Sequence, residues 1–260
     1  AAVLALTSKF DRLDLTLDTL AFSPDEIDAY CQQVSEDDRT ALEIAADRIR
    51  SYHARQMPGD DSWTDASGAT LGWRWTPVSA AGLYVPGGLA SYPSSVLMNA
   101  IPAIVAGVKR IVMLNPSYKG MQNPAVLYAA RKCKIKEIYS IGGPSAIAGV
   151  TYGTKKIKKV DKVVGPGNAY VAAAKKEVFG EVGIEGMIAG PSEITIVCDK
   201  FSKPEWVASD FIGQAEHDNQ AQCILISKDK NVIKNVKKEV FKQLKEIPRA
   251  AIAKNSILKN

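Results

Sequence analysis

The chain has 260 residues, 46% of them hydrophobic and 23% charged, which is enough apolar material for one large core or two modest ones. The longest apolar stretch, residues 96–108, is interrupted by polar residues and is shorter than the roughly 20 residues that cross a bilayer, so we predict no membrane span. The net charge of +5 combines an acidic first part, with 6 Lys and Arg against 14 Asp and Glu up to residue 70, and a basic remainder with 27 against 14. Because the basic residues have no interleaved aromatic residues, their excess predicts a solvated surface rather than a nucleic-acid site.

The N-terminal region predicts helices followed by an extended arm. Its first three residues lack an initiator Met and a basic flank, so we expect the chain to begin inside a longer protein. Ser23 to Glu26 forms a helix cap with Pro at the first helical position. An apolar repeat of helical type follows, at Leu42, Ile44, Ala45, Ile49 and Tyr52. Residues 71–76 contain Trp and predict an extended segment of hairpin type, which gives a helical region with an arm over residues 1–76.

A regular alternation of short strands and helices begins near residue 80. The predicted strands are residues 83–85, 110–114, 137–141 and 162–164. The helices predicted between and after them are residues 95–106, 124–132, 145–153 and 169–179. Strands that alternate with helices form parallel βαβ units, and right-handed crossovers place the helices on both faces of the sheet. We therefore predict an α/β fold with a doubly wound parallel sheet, and a first α/β domain over residues 77–192.

A second series of strands and helices occupies residues 193–260. It begins with a strand at 193–198, a helix from 204 to about 216, a strand at 222–227 and a Lys-rich amphipathic helix. Two strands are fewer than a βαβ domain needs. We therefore expect this part to be the beginning of a second α/β domain that the chain does not finish.

Each strand of the first series ends in a turn rich in Gly, Pro or Asn. In open parallel sheets, ligands bind outside the carboxyl ends of the strands, where helix N-termini favour anions and glycine permits close approach. Turns of this kind also need Gly and Pro for their own geometry, and neither Gly-x-Gly-x-x-Gly nor a Walker loop is present. Tyr84 is accordingly either a core aromatic or a ligand contact, and Asn168 either a cap or a ligand contact.

Gln214 and His217 are three residues apart, so on a helix they share one face and can reach the same metal or substrate. A surface or structural role for His217 is the alternative. None of the four cysteines has Cys-x-x-Cys spacing, which favours a reducing cytoplasm. Cys198 follows a strand-like run, where core packing and a role as nucleophile are both possible.

Four segments together carry a specific resemblance. They are Gly82 to Gly88, Val160 to Val171, Ala189 to Glu193 and Gln214 to His217. In this order and spacing they resemble the histidinol dehydrogenase family, and the resemblance extends over essentially the whole chain. It implies a fold like that of aldehyde dehydrogenases. It also implies a cytoplasmic, homodimeric oxidoreductase of histidine biosynthesis, which converts L-histidinol through L-histidinal to L-histidine with NAD and zinc.

The resemblance also assigns residues to the NAD site. Tyr84 and Asn168 match positions that contact NAD in the family. Ser145 stands where the family has a Gln that contacts NAD, and the shorter side chain removes an amide donor and acceptor. We therefore expect cofactor affinity to depend on this position.

The substrate and metal assignments lie in the second half of the chain. Ser192 matches a substrate contact, and Gln214 and His217 match residues that bind both zinc and substrate. The family's catalytic Glu-His pair and its remaining zinc ligands match positions beyond Asn260, so we expect no catalytic residue in this chain. Two alternatives are a thiol-dependent aldehyde dehydrogenase that uses Cys198, and a nucleotide-binding chain without catalysis.

Overall fold

A computed structural model describes residues 1–87, 92–185, 193–217 and 219–259. The chain divides into two compact units, Ala1–Ile188 and Ala189–Asn260. None of the helices in the described ranges has both the length and the apolar character that a membrane crossing requires.

Three helices open the first unit: α1 (Ala2–Asp11), α2 (Pro24–Gln32) and α3 (Glu36–Ala54). The predicted cap of α2 is present. The Ser23 hydroxyl accepts a hydrogen bond from the Glu26 N–H at 3.2 Å, and the Glu26 carboxylate accepts one from the Ser23 N–H at 2.7 Å. This capping box satisfies two backbone donors at the start of the helix.

The apolar repeat in α3 is only partly the buried face of that helix. Leu42, Ala45 and Ile49 pack against the core, as their three- and four-residue spacing requires. The predicted helix is present, but Ile44 and Tyr52 are 56% and 64% exposed and do not belong to its buried face. Ile44 lies off the stripe that Leu42, Ala45 and Ile49 define, because each residue advances by about 100° around the helix. Tyr52 continues the stripe by spacing, but it lies in the last turn of α3 and is exposed there.

A two-stranded antiparallel hairpin follows, formed by β1 (Asp61–Thr64) and β2 (Thr70–Trp73). Its eight strand residues are all exposed, and the Trp63 and Trp73 rings meet edge to face at 5.3 Å. The predicted extended arm therefore corresponds to the second strand of this hairpin.

The first unit is built on a five-stranded parallel sheet. Its strands are β3 (Ala80–Tyr84), β4 (Arg110–Leu114), β5 (Glu137–Tyr139), β6 (Lys162–Val164) and β7 (Gly183–Ile184), in the spatial order β5-β4-β3-β6-β7. All five residues of the central strand β3 are buried, as expected for a sheet covered on both faces. The α/β class with a parallel sheet is confirmed.

Four helices alternate with these strands: α4 (Pro93–Val105), α5 (Pro124–Lys132), α6 (Gly143–Tyr152) and α7 (Ala169–Glu177). Two apolar clusters cover the sheet. One contains Tyr84 and Leu114 with residues of α6 and α7, and the other contains Leu83 and Met113 with residues of α4 and α5. Because neighbouring strand residues point to opposite faces, the two clusters place a pair of helices on each face of the sheet, which is the doubly wound arrangement.

The second unit has two parallel strands, β8 (Glu193–Val197) and β9 (Gln222–Ile226), with the helices α8 (Pro204–Ala215), α9 (Lys230–Gln243) and α10 (Ala250–Lys259). Its core includes Ile194, Ile196 and Leu225 from the strands, packed against apolar residues of the helices. Residues at alternate positions of both strands remain exposed, so only one face of this small sheet is covered within the described residues.

Candidate functional site

The carboxyl ends of the central strands lie level with one another. Tyr84, the last residue of β3, is in register with Leu114 of β4, which is in turn in register with Tyr139 of β5. The loops that follow these strands therefore lie along the same edge of the sheet. This is the edge at which open parallel sheets bind ligands.

Tyr84 is 4% exposed, and its hydroxyl accepts a hydrogen bond of 3.1 Å from the N–H of Gly143. Burial raises the pKa of the phenol above its usual range, and the bond from Gly143 lowers it in part. Gly143 is the first residue of α6. Tyr84 is thus a core aromatic that also fixes the start of this helix.

Ser145 lies in the first turn of α6, two residues beyond the contact with Tyr84. Its hydroxyl donates a hydrogen bond of 3.0 Å to the carbonyl oxygen of Gly142, just before the helix. The side chain is therefore folded back onto its own turn.

The loop after β6 comes very close to β3. Gly165 has φ +111°, and a Cβ atom at this position would lie 2.1 Å from the carbonyl oxygen of Tyr84. Both the backbone angle and the lack of space require glycine here. The loop after β6 is thereby held against the carboxyl end of β3.

Asn168 ends this loop as the N-cap of α7. Its Oδ1 accepts hydrogen bonds of 3.1 Å from the N–H groups of Tyr170 and Val171. Capping uses only the oxygen of the amide, and the residue is exposed. The Nδ2 group of Asn168 has no partner among the described residues and can donate to a ligand.

The helices at this edge share an electrostatic property. None of α4, α5, α6 and α7 has an acidic residue in its first turn. The flanking helices α2 and α3 do, with Glu26 and Asp38 among these residues. Acidic side chains would offset the partial positive charge of a helix N-terminus. Because α4, α5, α6 and α7 have none in their first turns, this charge remains available to an external anion at the sheet edge.

A buried ion pair behind the loop was not expected from the sequence. Lys175 of α7 is 3% exposed, and its ammonium group donates hydrogen bonds to the carbonyl oxygen of Gly165 and to the carboxylate of Glu185. A pattern does mark it: Val171, Lys175 and Val178 occupy one buried face at helical spacing. A lysine on the apolar face of a helix is the signal that could have identified this group.

Ser192, the predicted substrate contact, lies outside the described residues. In the second unit, Gln214 lies in the last turn of α8, and its Nε2 group is buried without a hydrogen-bond partner in the described part of the chain. His217 follows the end of α8 and is exposed, and its N–H donates to the carbonyl oxygen of Gln214 at 3.2 Å.

Gln214 and His217 supply an amide and an imidazole, both of which can bind zinc, although an amide is an uncommon ligand. Across residues 1–87, 92–185, 193–217 and 219–259, however, no three His, Cys, Asp or Glu side chains come together as a metal site. The described residues thus fit part of a zinc ligand set and do not complete one.

Cys198 follows β8 and belongs to the apolar core of the second unit, with Val207 and Phe211 of α8 in the same cluster. A nucleophilic thiol has to be accessible to its substrate, and only 9% of this residue is exposed. Core packing is therefore the interpretation that the structure favours for Cys198.

Comparison with known proteins places this geometry in a family. A sequence model described as histidinol dehydrogenase matches residues 1–260. The chain is 63% identical over 259 residues to the histidinol dehydrogenase of Pelagibacter ubique (strain HTCC1062), which covers 100% of this chain and 60% of that protein. It is 58% identical over 253 residues to the histidinol dehydrogenase of Cereibacter sphaeroides, which covers 97% and 58%. The chain thus spans about 60% of the length of these relatives.

Solved structures agree with the sequence comparison. The crystal structure of histidinol dehydrogenase from Elizabethkingia anophelis matches with a TM-score of 0.92 at 40% identity, over 99% of this chain and 59% of that one. An NAD-dependent aldehyde dehydrogenase from Sinorhizobium meliloti matches with a TM-score of 0.51 at 16% identity, over 78% and 41%. The second match concerns the fold alone and confirms the expected likeness to aldehyde dehydrogenases.

Proposed function

The chain belongs to the histidinol dehydrogenase family, and from this premise we propose that it forms the NAD-binding side of an enzyme that oxidises L-histidinol through L-histidinal to L-histidine. Residues 77–192 would be the NAD-side domain, with residues 1–76 as its helical flank. Residues 193–260 would begin the second domain. The four cysteines are unpaired, which supports the proposed cytoplasmic location, and a homodimer is proposed for the whole protein.

The observation that carries the proposal is the carboxyl edge of the five-stranded sheet. Four helices begin there without acidic residues in their first turns, and the loop from Gly165 to Asn168 is held close to the backbone of β3. The pyrophosphate of NAD is an anion of the kind that helix N-termini attract. Bound NAD would supply the acceptor for the hydride that each oxidation removes.

Three side chains have proposed roles toward NAD. Asn168 can donate from Nδ2 while its oxygen caps α7. The Tyr84 oxygen is an acceptor for Gly143, so its own O–H proton is free to be donated. Ser145 lies in the first turn of α6, whose start is positioned by the hydrogen bond between Gly143 and Tyr84. Together they would orient the cofactor rather than take part in proton transfer.

Gln214 and His217 are proposed as two of the zinc ligands and as substrate contacts, and Ser192 as a further substrate contact. Zinc would polarise the alcohol oxygen of the substrate and so ease loss of its proton. The Nε2 group of Gln214 is a buried donor without a partner among the described residues, which supports an acceptor group of the substrate at this place, while the amide oxygen Oε1 would bind zinc.

The general base of each oxidation is proposed to lie outside residues 1–260. The chain has two histidines. His217 is proposed as a zinc ligand. His53 lies at the end of the flanking helix α3, where its Nδ1 donates a hydrogen bond of 2.6 Å to Oε1 of Gln56 in the following turn. The chain alone is accordingly expected to bind NAD without oxidising L-histidinol, and calorimetric titration with NAD beside an assay of NADH formation tests both statements.

Replacing Asn168 by alanine is expected to weaken NAD binding about tenfold and to destabilise the first unit by about 1 kcal/mol, because one side chain supplies both the cofactor contact and the cap. Calorimetry and urea unfolding measure the two effects. Asn123→Ala is the matched control. Asn123 caps α5 through a hydrogen bond of 2.8 Å from the Ala125 N–H and has no proposed cofactor role. Equal loss of NAD affinity in both variants would refute the contact with Asn168.

Replacing Ser145 by glutamine is expected to tighten NAD binding by about three- to tenfold, because one amide hydrogen bond contributes about 0.5–1.5 kcal/mol net. The dissociation constant from calorimetry checks this. Ser145→Ala is the control, since it removes the bond to Gly142 without adding an amide and should not tighten NAD binding. A glutamine variant with the dissociation constant of the parent chain would count against a cofactor contact at this position.

A further inference from the structure

We propose that Lys175 is a positioning residue for the cofactor loop, holding Gly165 through its carbonyl oxygen and thereby setting where Asn168 lies. The inference rests on the proposed NAD site and adds to it a residue that does not touch the cofactor. It follows from the hydrogen bonds that join Lys175, Gly165 and Glu185.

Packing alone does not account for an ammonium group at this position. Lys175 is almost fully buried on the face of α7 that also carries Val171 and Val178. Removing a charge from water is costly, and a methionine of similar length would fill the space without that cost. The charge instead has two acceptors, and both belong to other parts of the fold.

The ammonium group joins three elements at one point. Lys175 belongs to α7, Gly165 is the first residue after β6, and Glu185 is the first residue after β7. The carboxylate balances the charge, and the carbonyl oxygen of Gly165 is a second acceptor for the ammonium group. A charge-assisted bond to a carbonyl is stronger than a neutral one, so this contact can hold a loop.

The position of the bond explains what it does for the loop. Asn168 follows Gly165 by three residues and caps the helix on which Lys175 lies. The loop is therefore fastened at its start by Lys175 and at its end by the cap. The carbonyl oxygen of Gly165 is bonded to Lys175 and is therefore kept from facing an incoming anion. An anion and the negative end of a carbonyl dipole repel each other.

Removing Lys175 alone would also leave the Glu185 carboxylate without its counter-charge, and Oε2 of Glu185 already lacks a partner among the described residues. A loss of stability in Lys175→Met would therefore be ambiguous. The double variant Lys175→Met/Glu185→Leu removes both charges and keeps apolar volume, so stability is expected to recover while Gly165 remains unanchored.

The experiment compares the parent chain, Lys175→Met, the double variant and Lys176→Met, whose lysine is the exposed neighbour on the same helix. Urea unfolding reports stability, and calorimetry reports NAD affinity. Amide hydrogen exchange at Tyr170 and Val171 without NAD reports whether Asn168 keeps its place as their acceptor. In the double variant we expect about tenfold faster exchange at Tyr170 and Val171, whose N–H groups donate to Asn168, and about tenfold weaker NAD binding, at nearly parental stability. Lys176→Met should match the parent chain in all three.

Parental exchange rates and NAD affinity in the double variant would overturn the inference. The same holds if affinity falls only in proportion to stability, because that pattern describes a structural role. If the parent chain itself fails to bind NAD, the proposed cofactor is wrong. The exchange rates at Tyr170 and Val171 then decide by themselves whether Lys175 fastens the loop.

Discussion

Replacing Gly165 by alanine is expected to lower the free energy of unfolding by about 3–5 kcal/mol, from backbone strain and overpacking together. Its φ of +111° lies in a region that side chains other than hydrogen rarely allow, and the new Cβ would lie 2.1 Å from the carbonyl oxygen of Tyr84. Relief requires the loop to move away from β3. Asn168 moves with the loop, so NAD binding should weaken as well.

Gly180→Ala separates the two contributions. Gly180 has a similar φ of +98°, but no atom lies within 4 Å of the position its Cβ would take. This variant should show only the dihedral cost, about 1–3 kcal/mol, with NAD affinity unchanged. Urea unfolding and calorimetry on both variants measure the difference. If Gly165→Ala is no less stable than Gly180→Ala, the close approach to Tyr84 is not rigid.

Long, strongly patterned elements of the fold were predictable from the sequence. Strand β4 and helix α5 have the predicted bounds, because runs such as residues 111–114 are apolar, contain β-branched residues and are bounded by turns. The three-residue strand β6 also has its predicted bounds. Strand β7 was missed, since Gly183–Ile184 is too short to show a pattern. It exists through its pairing with Lys162 and Val163 of β6, which is a tertiary contact.

In the candidate site, too, some residues could be predicted from local sequence and others depend on tertiary contacts. Tyr84 and Asn168 lie at strand and loop ends, where turn chemistry marks a ligand-binding edge, so the sequence pointed to them. Lys175 was passed over because a lysine in a helix is ordinarily solvated. Its two acceptors are each ten residues away in sequence, in opposite directions, and only the packing of β6, β7 and α7 brings the three together. No local pattern encodes that contact.

The opposite orientation of neighbouring residues in β3 leads to the second large prediction. Leu83 and Tyr84 are adjacent, yet Leu83 belongs to the cluster with α4 and α5, and Tyr84 to the cluster with α6 and α7. Leu83 is completely buried, so Leu83→Ala is expected to cost about 3–5 kcal/mol through lost burial and the cavity that remains. Urea unfolding measures this cost.

The cavity would open on the face of the sheet away from Tyr84. NAD affinity, measured where the variant is still folded, should therefore stay near that of the parent chain, in contrast to Gly165→Ala. Leu71→Ala makes the same chemical change in a strand of the exposed hairpin, where Leu71 is 46% exposed, and should change stability by about 0.5 kcal/mol or less. A marked loss of NAD affinity in Leu83→Ala would mean that the two faces of the sheet are coupled, and that the position of Tyr84 depends on packing on both sides of β3.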